Sequence, residues 1–239
     1  MTTMKKLIKK SIKKILSLYG WKLSKNYKNK SYINQKPNLK LLEALHAAKG
    51  IFHLGAHRGT EAAVYNWLHK RALWIEANPE IFVDLKDNVS KYINQKAFNI
   101  LLFDSDNKVI KFNISNNDGA SSSIYEFGDE SKKQNLRMVE FVNLKSQKID
   151  TFFEENKINC EDYDFWVIDL QGSELPVLKG AEHSLKKCNY IYVEISKGEY
   201  YKDATQWHEL NSFLKKFNFQ NLWEPENSHT DVLFKKSVI

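Results

Sequence analysis

The sequence predicts an α/β fold, a mostly parallel sheet with helices on both faces. Three observations carry this. From residue 39 onward, short apolar runs alternate with helix-forming stretches, the pattern of a parallel sheet. One run, FWVIDL at 165 to 170, is apolar until Asp169, as a strand buried on both faces must be. A glycine turn, IFHLGAHRG at 51 to 59, leads from an apolar run into helix formers, the arrangement of a ligand edge in an open sheet.

Each element follows in order. Asn38 can cap a helix over 39 to 48, which Gly50 ends. Residues 51 to 54 form the first strand, 60 to 69 a helix, and 72 to 76 (ALWIE) the second strand. Pro79 opens a helix running to about residue 88, a position where proline is favoured. Residues 98 to 103 read as the third strand. An elaboration follows: an alternating strand at 108 to 115, the polar loop NNDGASSS at 116 to 123, a strand at 137 to 144 and a helix at 146 to 155. The fourth core strand is 165 to 170. Residues 174 to 188 form a helix whose regular part follows Pro176. YIYVEI at 190 to 195 is the fifth strand, 205 to 217 a helix, and 219 to 223 with 232 to 235 a closing hairpin.

The 239 residues suit one well-buried core. The net charge of +7 is misleading until it is located. Residues 1 to 40 carry twelve lysines and no acid, leaving 24 basic against 29 acidic residues in the rest. The body is therefore mildly acidic, which argues against a nucleic-acid partner. Residues 1 to 38 form a basic arm and linker, and 39 to 239 the folded domain. Within the arm, residues 4 to 25 set lysine pairs against Leu7, Ile8, Ile12, Ile15, Leu16 and Tyr19 at helical spacing. That pattern fits a helix on an anionic membrane surface, and equally a helix packed on the body or a frayed tail. The arm lacks the unbroken apolar core of a secretory signal. No run approaches the ~18 apolar residues of a membrane span. Cys160 and Cys188 show no pairing signature, so the expected setting is the cytoplasm, with peripheral contact to the inner membrane surface through the arm.

Open parallel sheets bind ligands beyond the carboxyl ends of their strands. Residues 53 to 59, Glu76, Asp169 with Gln171, Gly172 and Glu174, and Glu194 all fall there. Gly55 and Gly59 allow close backbone approach. Glu76, about twenty residues past the turn, is placed to accept both hydroxyls of a ribose. The bland alternative is a plain turn with a surface glutamate. The third glycine of a dinucleotide fingerprint is absent: Ala62 or Ala63 stands near it, and His57-Arg58 fills the turn. A pyrophosphate site is thus disfavoured. S-adenosylmethionine, which has no phosphate, fits better, and no metal is expected.

IFHLGAHRG, WIEANPEIFVDLKDN, NNDGASSS, VIDLQGSELPVLKGAEHSL and YIYVEIS, taken in order, resemble the FkbM family of S-adenosylmethionine-dependent methyltransferases over about residues 50 to 236. The stretch from 169 to 181 is the most specific part. The resemblance implies a three-layer, Rossmann-like class I sheet of seven strands, the last antiparallel. It also implies O-methylation, often of a sugar or polyketide hydroxyl. By that likeness Gly55, Ala56, His57 and Gly59 line the methionine end of the cofactor. Glu76 holds the ribose, flanked by Ala77 and Asn78, and Leu101 with Leu102 faces adenine. Asp169 lies beside the methyl, with His53 and Gln171 at further cofactor-contacting positions. Two residues depart from the family pattern. His53 stands where an acid is common, and Gln171 where many relatives carry glutamate.

A glutamine cannot serve as general base, so Asp169 is the first candidate, His57 the second, and Glu174 an orienter of the loop or substrate. Much of the rate is expected from alignment of hydroxyl and methyl. Each role has a structural alternative: Asp169 as cofactor ligand or helix cap, His57 as turn former, Glu174 as the start of its helix. Ser121, Ser122 and Ser123 either meet substrate or close their loop. The expected activity is methylation of a sugar hydroxyl in a cell-surface polysaccharide or glycolipid precursor. The competing readings are an inactive, membrane-docked binding module and a nucleotide-sugar or NAD enzyme on the same sheet.

Overall fold

The computed structural model describes residues 38–196, 200–225 and 229–237. The basic arm at 4 to 25 lies outside these described residues.

Seven strands form the main sheet: β1 (Gly50–Leu54), β2 (Arg71–Glu76), β3 (Gln95–Asn99), β7 (Phe165–Ile168), β8 (Tyr190–Ser196), β9 (Phe219–Asn221) and β10 (His229–Lys236). Their order is β3-β2-β1-β7-β8-β10-β9. Every pair is parallel except those of β10, which runs antiparallel to β8 and β9. The expected mostly parallel sheet with a reversed last strand is therefore present. A second sheet, in the order β4-β6-β5, is built from β4 (Leu101–Leu102), β6 (Met138–Gln147) and β5 (Val109–Ser115), and it makes the elaboration between β3 and β7.

Strand alternation sends successive side chains to opposite faces, giving two cores. On one face Phe52, Leu54, Trp166 and Ile168 meet Phe152 of α5 (Ile149–Glu155), Leu178 of α6 (Glu174–Lys179), Leu185 of α7 (Glu182–Leu185) and Leu210 of α8 (Trp207–Lys216). On the other, Ile51, Trp74 and Phe165 meet Leu41 and Leu45 of α1 (Leu39–Ala47), Tyr65 of α2 (Ala62–Trp67) and Leu85 of α3 (Pro79–Val89). Most of these are fully buried, each contributing about 1.5–3 kcal/mol. A short helix α4 (Asp129–Lys133) completes the elaboration.

Local signals explain the helix starts. Asn38 Oδ1 accepts from Leu41 N at 3.2 Å. Asn78 Oδ1 accepts from Glu80 N at 3.0 Å, with Pro79 in the first turn of α3.

Three expectations need correction. The third strand is Gln95–Asn99, not 98 to 103. Gln95 is a buried polar residue that bridges Trp74 Nε1 (3.0 Å) and the Ala62 carbonyl (2.8 Å), so hydrogen bonding rather than apolar character selects it. Leu101 and Leu102 pair instead with Ser146 and Gln147 of β6, which delays the following helix to Ile149. The 174 to 188 helix divides in two. Pro176 is tolerated in the first turn of α6, where its missing N–H has no intrahelical acceptor to lose. The break comes at Gly180, whose carbonyl accepts from Asp150 N at 3.1 Å. No helix among the described residues is long and apolar enough to cross a membrane.

Candidate active site

The carboxyl ends of β1, β2 and β7 open onto a cavity of about 270 Å³. The turn after β1 forms its floor. Gly55 adopts φ +75°, and a Cβ there would lie 1.7 Å from the Asp169 carbonyl oxygen. Only glycine lets the β1 and β7 turns meet this closely. His57 follows with φ +46°. Its backbone N–H points at the end of β2 and donates to Glu76 Oε2 at 2.7 Å. Asn78 N donates to Glu76 Oε1 at 2.8 Å. Burial pushes the Glu76 carboxyl up from its ordinary range, and these backbone donors oppose that shift. Each carboxylate oxygen keeps a lone pair beyond its backbone bond, and the residue lines the cavity.

Beside Glu76 the wall is apolar: Ile75, Ala77, Ile100, Leu101, Leu102 and Phe112. The loop of residues 116 to 123 covers it, with Gly119, Ala120 and Ser122 on the lining. Arg58 clasps this loop to the turn. Its guanidinium donates to Asp118 at 2.6 and 3.0 Å and, through Nε, to Asp84 at 2.7 Å. His57 Nε2 lies 3.0 Å from the Asp118 carbonyl oxygen and 3.3 Å from Arg58 Nη1. The three serines close the loop. Ser121 Oγ accepts from Asn117, Ser122 Oγ from Ser115 N, and Ser123 Oγ donates to the Gln171 carbonyl at 2.7 Å.

Opposite Glu76 stands an acid cluster. Gln171 takes a left-handed conformation (φ +52°) ahead of Gly172 (φ +105°), which turns its side chain back over the strand ends. Its Nε2 donates to Asp169 Oδ1 and, at 2.9 Å, to Glu194 Oε2. The Tyr201 hydroxyl donates to Gln171 Oε1 and lies 3.1 Å from the Ser121 carbonyl oxygen. This network fixes which end of the Gln171 amide faces the carboxylates. Burial, and then the adjacent Glu194 charge, hold the Asp169 carboxyl well above the usual carboxylate range.

A second cavity, of about 240 Å³, lies on the α1 and α2 side of the sheet. It shares Gly55, His57 and Asp169 with the first and is otherwise lined mainly by apolar residues, with Tyr192 and Asp231 at one side.

Of the sequence-derived candidates, Gly55, His57, Glu76, Ala77, Leu101, Asp169 and Gln171 line the first cavity together. Ala56 lines only the second. Gly59 faces away from both, where a Cβ would press on Leu85 at 2.5 Å, so it serves the packing of α3. The Asn78 side chain caps α3, and only its backbone serves Glu76. Glu174 lines neither cavity. Its Oε1 accepts from Leu170 N (3.2 Å) and Gly172 N (3.0 Å), anchoring the turn that carries Gln171. Burial pushes its carboxyl up to about 7. His53 is turned to the face covered by α1 and α2, its Nδ1 3.1 Å from the Tyr65 hydroxyl and its ring stacked 4.8 Å from Trp74. It reaches the second cavity and not the first. Glu194, placed at the ligand edge by the sequence, was given no role, and Tyr201 was not named. Glu194 is an acid near the end of the apolar run YIYVEI and carried a signal; Tyr201 sits beyond β8 in a stretch without one.

A glycine turn without phosphate features, a buried acid ending the second strand and an apolar slot beside it fit adenosine. With the sheet's reversed strand beside β8, they define an S-adenosylmethionine-dependent methyltransferase. The methyltransferase FkbM domain matches residues 53–220, and the chain belongs to that family. It is similar to the 2-O-methyltransferase NoeI of Sinorhizobium fredii, 24% identical over 79% of this chain and 80% of the relative. Solved structures with a similar course include a putative caffeoyl-CoA O-methyltransferase from Staphylococcus aureus (TM-score 0.46, 11% identity, 82% of this chain and 80% of that one). Another is magnesium protoporphyrin IX methyltransferase from Synechocystis PCC 6803 with bound SAH (TM-score 0.45, 5% identity, 83% and 79%). Among the described residues no group of three or more His, Cys, Asp or Glu side chains is arranged to hold a metal ion.

Proposed function

We propose that the protein is an O-methyltransferase acting on a sugar hydroxyl of a cell-surface glycan or glycolipid precursor. The observation that carries the reading is the position of Asp169, which lines both cavities where they meet. S-adenosylmethionine, when bound, supplies an electrophilic methyl on a sulfonium. Glu76 would hold its ribose, and Ile100, Leu101 and Leu102 its adenine. Asp169, held by Gln171, accepts the acceptor hydroxyl's proton late in the transfer. Alignment by the surrounding walls contributes the larger part of the rate. His57, its Nε2 between the Asp118 carbonyl and Arg58 Nη1, shapes the turn. The name of the relative NoeI supports oxygen as the methylated atom. The acidic body is consistent with a neutral or lipid-linked saccharide, brought near by the lysine arm at a membrane surface.

The test supplies radiolabelled S-adenosylmethionine and a fraction of lipid-linked saccharides. Wild-type protein is expected to transfer label in alkali-stable form. Asp169→Asn is expected to bind the donor and transfer nothing. Donor binding without transfer by the wild type would favour the inactive binding module. Full turnover by Asp169→Asn would remove that residue as base.

A further inference from the structure

We propose that Tyr201 is a positioning residue for methyl transfer: its hydroxyl locks the Gln171 amide, and the amide in turn holds the Asp169 carboxyl in place for the acceptor. Tyr201 lines neither cavity, so its route to the reacting atoms runs through Gln171. The inference rests on the function proposed above and adds a residue to its machinery.

A glutamine amide is not fixed by its own rotamer, because the last torsion of its side chain is broad and two-fold. Hydrogen bonds at its two ends fix it instead. At one end of Gln171, Nε2 donates to Asp169 Oδ1 and, at 2.9 Å, to Glu194 Oε2. At the other, Oε1 accepts from the Tyr201 hydroxyl. With both ends held, the amide plane cannot swing. The Asp169 oxygen it holds then keeps one direction at the junction of the two cavities. Loss of the hydroxyl takes this donor from Oε1, and the amide turns to find another.

Tyr201 is itself firmly placed. It is 2% exposed, its ring stacks on Phe127 at 5.3 Å, and the two residues pair in an isolated antiparallel bridge. Gly128 N donates to the Tyr200 carbonyl and Lys202 N to the Glu126 carbonyl, each at 2.9 Å, so backbone bonds anchor both of its neighbours. Burial pushes its phenol well above the ordinary range, so the hydroxyl keeps its proton and can donate. The hydroxyl also lies 3.1 Å from the Ser121 carbonyl oxygen, and Ser123 Oγ donates to the Gln171 backbone carbonyl at 2.7 Å. The loop covering the first cavity and the amide holding the base are thus tied together through Tyr201 and Gln171.

The test is a double-mutant cycle on the full chain, with radiolabelled S-adenosylmethionine and the lipid-linked saccharide fraction. Tyr201→Phe keeps the ring and its stack on Phe127 and removes the hydroxyl. Gln171→Ala removes the amide. Tyr201→Phe is expected to lower kcat about 10- to 100-fold with the KM for the donor unchanged, the loss that a misplaced reacting group brings. In the Gln171→Ala background the same substitution is expected to change kcat by less than about two-fold, because the group it acts through is already gone. A wild-type kcat in Tyr201→Phe, or equal losses in the two backgrounds, would overturn the assignment. So would a raised donor KM or failed donor binding in Tyr201→Phe, which would make the residue a support of the covering loop alone. Absence of transfer by the wild type would instead sink the proposed function, and the role of Tyr201 with it.

Discussion

The carbonyl oxygen of Asp169 occupies the space that a Cβ on Gly55 would need, 1.7 Å from its ideal position. The two turns that carry the site therefore touch through backbone, and the base candidate is placed by a glycine in the turn after β1. Gly55→Ala should lose about 1–2 kcal/mol from its positive φ alone, with the clash adding to it. The expected result is a lower melting temperature and loss of donor binding. Wild-type values in both measurements would show that the turns separate freely.

Glu76 is held by two backbone donors, so its free lone pairs are oriented before ligand arrives. Hydrogen bonds to charged groups contribute about 1.5–3 kcal/mol. Glu76→Ala should therefore weaken S-adenosylmethionine binding by roughly 10- to 150-fold. Unchanged affinity by calorimetry would end the ribose assignment.

Glu174 should impose a pH dependence on stability. Its folded-state carboxyl lies at about 7, above the ordinary 4.5. The folded state thus binds the proton more tightly than the unfolded state. The associated stabilisation, on the order of 3 kcal/mol, is complete below pH 4.5 and is lost as pH rises to about 7. Glu174→Gln keeps an oxygen for Leu170 N and Gly172 N but cannot ionise. Urea unfolding across this window should show a flatter profile, with the variant gaining on the wild type toward pH 8. Parallel profiles would contradict the assignment.

Arg58 ties the covering loop to the turn through Asp118 and Asp84, all on the surface. Arg58→Ala should loosen residues 116 to 123 without unfolding the domain. We expect faster proteolysis there and a few-fold weaker donor binding. The wild-type protein should shift toward the same behaviour at high salt, because exposed ion pairs are screened. Identical cleavage rates would deny the loop its clasp.

The lysine arm yields a separate prediction from sequence alone. Lysines near an anionic bilayer contribute about 1 kcal/mol each. Deletion of residues 1 to 25 should abolish pelleting with anionic liposomes at low salt. Equal pelleting before and after deletion would exclude the membrane role.

The sequence by itself determined the elements whose signals are local. The β1 turn, Glu76 and the stretch from Asp169 to Glu174 are set by short-range patterns: apolar alternation, glycines at positive φ, and an acid closing a buried strand. The reversed last strand followed from the resemblance and from the hairpin at the chain's end. Tertiary structure decided the rest. Gln171 reaches Glu194 and Tyr201 across 23 and 30 residues, and no periodicity records such a bond. His53 is sent to the Trp74 face by the pleat of β1, so a change at a family position moves an aromatic stack and leaves the first cavity untouched. The third strand was hidden because an edge strand needs few apolar residues, and Gln95 is selected by hydrogen bonds to partners 21 and 33 positions away. Local pattern records burial and turns. Long-range hydrogen bonds between polar groups, which complete the acid cluster, exist only once the chain has folded.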